Sequence, residues 1–269
     1  MTDHLRRALA PVSDAAWEQI DNEASRTLRH FLAARALVDF TGPKGWDYSG
    51  ETVGRTSAPT VGDGGVTSAV RVPQPMVELR KPFELSLAEL DRADRGAEDV
   101  DLAQVVSAAR EAALAEDRAV FDGLAAGGIS GIATGSAHDP LPIGDDYGQY
   151  PGVVARAVAT LRREGIGGPY AIALGPRCYT GVIETTEYGG YPVLEHMKLI
   201  LGGPVVWAPG VDGAVVVSTR GGDFELVCGQ DFSIGFRRQV EDTVELYLEE
   251  SFTFKVNEPR AGIALRYPT

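Results

Sequence analysis

The side chains of this chain that could do chemistry are few, and their spacing suits little of it. His4, His30, His138 and His196 show no metal-ligand spacing, and no HExxH or CxxC occurs. Ser130, His138 and Asp139 contain the residue types of a nucleophile set. Yet a nucleophile elbow needs glycine both two before and two after the serine, and although Gly128 stands two before Ser130, Ile132 stands two after, so a turn serine is expected. Gly62-Asp63-Gly64-Gly65 has neither the lysine nor the following helix of a phosphate loop. Asp145-Asp146 and Glu249-Glu250 are adjacent pairs. On a strand, neighbours point to opposite faces, so Glu249 and Glu250 cannot act as one acid/base pair. Glu250 interrupts an apolar face, and pairing with an arginine is expected of it. Cys178 and Cys228 lie far apart in apolar patterns and read as buried free thiols. This residue set predicts neither an enzyme nor a metal site.

The elements that carry these residues are clearer. From Val244 to Val256 every even position except Glu250 is apolar, while the odd positions are polar or amphipathic. That alternation predicts a strand about twice the usual length with one buried and one polar face. Upstream, Arg220-Gly221-Gly222-Asp223 is a tight-turn signal, and Ala214–Val217 with Phe224–Cys228 read as hairpin arms around it. Ser13 or Asp14 caps a predicted helix whose Trp17, Ile20, Ala24, Leu28, Phe31 and Leu32 form an apolar stripe. Residues 50–74, rich in Gly, Thr, Ser and Val, read as an extended hairpin tipped by Gly62–Gly65. Met76–Leu87 follows as a strand, and a helix runs from Asp101 to about Asp122. Ser136–Pro151 is loop. Val153–Glu164 and Val193–Leu201 are helices, Tyr170–Leu174 and Val205–Trp207 are strands, and a short helix starts near Arg177. The class is mixed α+β.

Composition bounds the partners. The 25 Lys and Arg against 38 Asp and Glu give a formal net charge of −13, which repels phosphate backbones. The basic clusters Arg6-Arg7, Arg162-Arg163 and Arg237-Arg238 are small and form no tail. No segment approaches the roughly 20 apolar residues of a membrane span. The first residues lack the apolar core of a signal peptide, so the cytoplasm is the expected location.

Several stretches carry a family resemblance. RGGDFELVCGQDFSIGF followed by ESFTF resembles the C-terminal signature of encapsulins, the bacterial and archaeal protein-compartment shells. LAPVSDAAWEQIDNEA, LVDFTGPKGWDY at Leu37–Tyr48, PFELSLAELDRADRG at Pro82–Gly96, EDRAVFDG at Glu116–Gly123 and GIGGPYAIAL at Gly165–Leu174 resemble that family in the same order. The resemblance implies the tailed-phage major capsid fold. Residues 1–48 would hold the N-terminal helix and the start of a peripheral domain, and 49–75 the extended loop. Residues 76–134 would form the peripheral domain with its spine helix, 135–219 the axial domain, and 220–269 the C-terminal strands of the peripheral domain.

It also implies a self-assembling icosahedral homo-oligomer, a 60-mer before a larger shell. Such a shell encloses a cargo enzyme, a dye-decolourising peroxidase or ferritin-like iron oxidase, through the cargo's C-terminal targeting peptide. Positions matching the family's cargo groove are Leu28, Phe31, Leu32, Arg35 and Asp39 on the helix side, with Asp231, Phe232 and Ile234 from the C-terminal motif. Thr185, Thr186, Glu187, Tyr188, Gly189, Gly190 and Tyr191 match the loop around the fivefold pore, where repeated Glu187 carboxylates would favour cations. Ala88 stands where some members use a flavin-stacking tryptophan, so no flavin is expected. A phage major capsid protein is the alternative implied by the fold, and a hydrolase the weaker one; no nucleic acid or membrane partner is expected.

Overall fold

The computed structural model describes residues 4–187 and 189–268. The chain opens with helix α1 (Asp14–Phe31), whose N-terminus is capped by the Ser13 hydroxyl accepting from the Ala16 N–H at 3.2 Å. The predicted stripe faces inward: Trp17, Ile20, Ala24 and Leu28 are buried. Short strand β1 (Asp39–Thr41) leads to an arm built of β2 (Gly50–Thr56), β3 (Thr60–Val61), β4 (Thr67–Ser68) and β5 (Arg71–Pro75). Within the arm β2 pairs only with β5 and β3 only with β4. Its valines 61, 66 and 70 are each about 70% exposed, as expected of an arm with no core of its own.

Strand β6 (Val77–Ser86) runs directly into α2 (Leu87–Asp94), capped by Ser86, and then α3 (Ala103–Phe121). Sequence reading did not foresee α2, because no Gly or Pro separates it from the strand. The chain continues through β7 (Leu141–Pro142), α4 (Tyr150–Arg163), β8 (Tyr170–Leu174), α5 (Pro176–Glu184), α6 (Val193–Leu201), β9 (Val205–Trp207) and β10 (Ala214–Ser218). It finishes with two long strands, β11 (Phe224–Val240) and β12 (Thr243–Val256), and with β13 (Gly262–Arg266).

Two larger sheets result. One has the order β1-β11-β12-β6, with β1 parallel and the others antiparallel to their neighbours; the other has the order β7-β13-β10-β8-β9. The expected hairpin around Arg220–Asp223 is therefore not one. Its arms, β10 and β11, enter different sheets, and the turn, closed by an Arg220–Asp223 ion pair at 2.8 Å, is a crossing point. Residues 220–269 likewise divide, since β13 pairs with β10 in the second sheet and not with the other C-terminal strands. A local turn signal cannot tell which sheet will bury each arm.

Strand β12 departs from its expected polar face. Tyr247, Glu249, Ser251 and Thr253 are as buried as the even positions. The chain's first described residues cover that face. His4 stacks on Trp46 at 4.3 Å, and its Nε2 lies 3.0 Å from Glu249 Oε1; Arg80 approaches the same carboxylate at 2.6 Å.

The buried side chains fall into two clusters. One joins the five-stranded sheet and its helices to Phe121, Leu226, Phe252 and Phe254. The other joins α1 and α2 to Val105–Ala113 of α3, Ile234, Val244, Leu246 and Leu248. α3, β11 and β12 each pass from one cluster to the other. At the crossing each carries a polar residue: Glu116 and Asp117 on α3, Asp231 on β11, and Glu250 on β12.

Candidate functional site

A groove of about 500 Å³ runs between α1 and the β11–β12 pair. Leu28 and Leu32 line one side, Phe232, Ile234 and Leu248 the other, and Leu5 closes part of it. Two lining ion pairs interrupt the apolar walls: Arg7 with Asp21 at 2.6 Å, and Arg35 with Asp231 at 2.9 Å. The lining thus mixes apolar side chains with largely paired charges in about equal measure, a combination suited to an extended peptide with both apolar and polar side chains.

Six of the eight expected groove residues meet here: Leu28, Leu32, Arg35, Asp231, Phe232 and Ile234. Phe31 does not. Three residues on from Leu28, it falls on a neighbouring stripe of the helix, where its ring packs 5.6 Å from Trp207 under the Arg110 guanidinium. Asp39 is also elsewhere. It heads β1 and accepts the Gly222 N–H at 2.5 Å, fixing the crossing turn.

Arg35 ties the groove to the junction beneath it. Its Nε and Nη2 donate to Glu116, its Nη2 also to Glu250 at 2.6 Å, and its Nη1 to Asp231. Its guanidinium lies 5.0 Å from the Phe40 ring and 5.3 Å from that of Phe232. The expected arginine partner of Glu250 is this one. Burial works against the charged form of Arg35, but the Glu116 hydrogen bond and the carboxylates around it more than offset that and raise its pKa. Burial, then the Glu116 charge, pushes the Glu250 carboxyl well above its ordinary value. Burial pushes Asp117 up to about 7, opposed by the Ala34 and Ala33 N–H groups it accepts at 3.0 Å each. Glu116, Asp117, Phe40 and Leu5 were missed from sequence. The two acids resemble ordinary helix-surface charges until α3 is placed against β12.

The 185–191 loop leads into α6. Thr185 Oγ1 donates to Gly181 O at 2.7 Å, Thr186 bridges to Pro192, and the Glu187 N–H donates to Tyr191 O at 2.8 Å. Gly189 and Gly190 take φ of 93° and 80°, left-handed values that favour glycine. Tyr188 lies outside the described residues. Glu187 is not a free carboxylate: His196 Nδ1 donates to it at 2.9 Å, a partner sequence reading did not supply.

The remaining candidates stay apart from chemistry. Ser130 sits on an exposed turn, and His138 Nε2 lies 3.0 Å from the Arg260 carbonyl. Ala88 is exposed at the start of α2. Cys178 and Cys228 are buried and free. No helix among the described residues is long and apolar enough to cross a membrane.

Comparison with known proteins agrees with the resemblance. Residues 1–253 match the Linocin_M18 family, described as encapsulating protein for peroxidase. The type 1 encapsulin shell protein of Rhodospirillum rubrum is 51% identical over 97% of this chain and 96% of its own length. That of Mycobacterium tuberculosis is 41% identical over 98% of this chain and 100% of its own. A virus-like particle from Pyrococcus furiosus superposes with a TM-score of 0.67 at 16% identity, covering 93% of this chain and 99% of that one. The Mycobacterium phage Bobi structure does so at 0.59 and 15%, over 89% of this chain and 91% of that one. At those identities the likeness is one of fold: the tailed-phage capsid architecture in α+β form. The match in sequence runs from end to end at up to 51% identity, and by it the chain belongs to the encapsulin shell proteins of type 1.

Proposed function

We propose that copies of this chain close into an icosahedral shell, a 60-mer, that holds a cargo enzyme by a peptide lying in the groove between α1 and β11. The groove carries the proposal: leucine, phenylalanine and isoleucine side chains set among paired charges suit a peptide that joins aliphatic side chains to a few polar ones. The arm supports the assembly half, because its exposed valines gain burial only against another copy. The shell is structural and does no chemistry itself; the cargo supplies that, a dye-decolourising peroxidase or a ferritin-like iron oxidase carrying a C-terminal targeting peptide. A cytoplasmic compartment fits this use. The 185–191 loops surround the fivefold pore and admit the cargo's small substrates. No flavin is held at Ala88.

The test has two arms. The chain expressed alone should give uniform hollow spheres by negative-stain electron microscopy. Co-expressed with a candidate cargo enzyme, it should retain that enzyme through purification, and Phe232→Ala with Leu32→Ala should release it while the spheres persist. Unchanged retention by that variant would remove the groove assignment; small oligomers from the unmodified chain would remove the shell.

A further inference from the structure

The junction between the two cores holds more carboxylate than its single arginine balances. Glu116, Asp117, Asp231 and Glu250 gather around Arg35. Asp117 spends its oxygens on the Ala33 and Ala34 N–H groups, and Glu116 occupies the Nε–Nη2 edge of Arg35. Glu250 is 0% exposed; its Oε1 accepts from Arg35, no donor group reaches its buried Oε2, and the Glu116 carboxylate lies within hydrogen-bond reach of the same side chain. A carboxylate oxygen so placed requires a proton or a cation beside it.

The backbone brings two further ligands to the same spot. The register of β11 against β12 slips twice between Cys228 and Ser233, which swings Asp231 towards the face that carries Glu250. Gly229 permits the slip: a Cβ there would meet Ser251 Oγ at 2.6 Å. One ligand atom each from Cys228, Asp231 and Glu250 then lies within 4.8 Å of the others. A thiolate with two carboxylates suits zinc or ferrous iron and is too soft a set for calcium or magnesium. Asp231 and Arg35 also line the groove, so an ion can reach the cluster from there.

We propose that Cys228, Asp231 and Glu250 form a binding site for a divalent transition-metal ion of the zinc class, reached from the docking groove. The charge of Arg35 is matched by Glu116, which leaves Glu250, Asp231 and the thiolate to the ion. A thiol and carboxyls must be deprotonated to ligate, so uptake releases protons and strengthens as pH rises. The site rests on these side chains and not on the shell reading.

Cobalt(II) alone, titrated into the chelator-treated full chain, tests this. The expected result is one ion per chain with a thiolate-to-cobalt charge-transfer band in the near ultraviolet. Cys228→Ser should remove the band and weaken uptake by roughly tenfold or more. Glu250→Gln, which keeps the oxygen facing Arg35, should weaken uptake similarly and carries the test if the serine variant does not fold. Cys178→Ser removes a thiol set 3.3 Å from the Tyr150 and Tyr267 hydroxyls, and should change neither quantity. Absent uptake, or a band that survives Cys228→Ser, would overturn the assignment and leave protons as what neutralises Glu250.

Discussion

A guanidinium that meets three carboxylates at once fixes the protonation of its surroundings as well as their geometry. Asp117, at about 7, and Glu250, above its ordinary value, both bind protons more tightly in the folded chain than in the unfolded one. The sign follows from linkage. Their stabilising contribution is complete below the ordinary carboxylate range and is lost as pH rises, for Asp117 between 3.8 and about 7. Glu250→Gln keeps a hydrogen-bond acceptor for Arg35 but takes no proton. Denaturant midpoints of the chelator-treated chain, measured upward in pH from the ordinary carboxylate range, should therefore fall less steeply for the variant than for the natural chain. Equal slopes would mean that Glu250 does not hold a proton in the folded state. At this scale the sequence was half legible. Glu250 announced its arginine by breaking an apolar alternation. Glu116 and Asp117 gave no such signal, because on an alanine-rich helix with only a loose apolar face the sequence does not show that these two charges are buried.

The arm hangs on a small root. Glu51 accepts from the Tyr48 hydroxyl at 2.9 Å and from Lys44, and Lys255 of β12 lies 3.8 Å from it. Beyond that root β3 and β4 touch no other sheet, so little of the subunit's core depends on them. Replacing residues 57–69 with a two-residue turn should leave thermal unfolding of the dissociated chain within a few degrees of the original, since exposed segments carry little stability. The same change should abolish or sharply reduce the assembled fraction in size-exclusion chromatography. Normal shells from that variant would show that the arm does not join subunits. The arm, β8, α6 and β9 were readable from Gly-rich tips and clean apolar runs. α2 was not, because it follows β6 without a break in pattern, and neither was the short β13, which a turn at Pro259–Ala261 separates from β12. The supposed β10–β11 hairpin failed for a different reason. Its turn chemistry was right, but strand partnership is decided by burial far along the chain.

Over the whole molecule, charge separates a protein-filled shell from a nucleic-acid container with the same architecture. The net charge is −13, and the three small basic clusters are largely engaged. Arg7 pairs with Asp21, Arg237 and Arg238 share Glu245, Arg162 lies over Tyr170, and Arg163 donates to Thr160. Binding a phosphate backbone releases counterions only where free cations can replace them, and on this chain the cations are set within a net charge of −13. Shells purified without nuclease should therefore show the ultraviolet ratio of protein alone, and duplex DNA added at about 50 mM salt should not co-sediment with them. Low salt is the demanding condition, because electrostatic binding is strongest there. Co-sedimentation that disappears as salt is raised would reveal a basic surface formed only between subunits, and the charge argument would then fail for the assembly while holding for the chain.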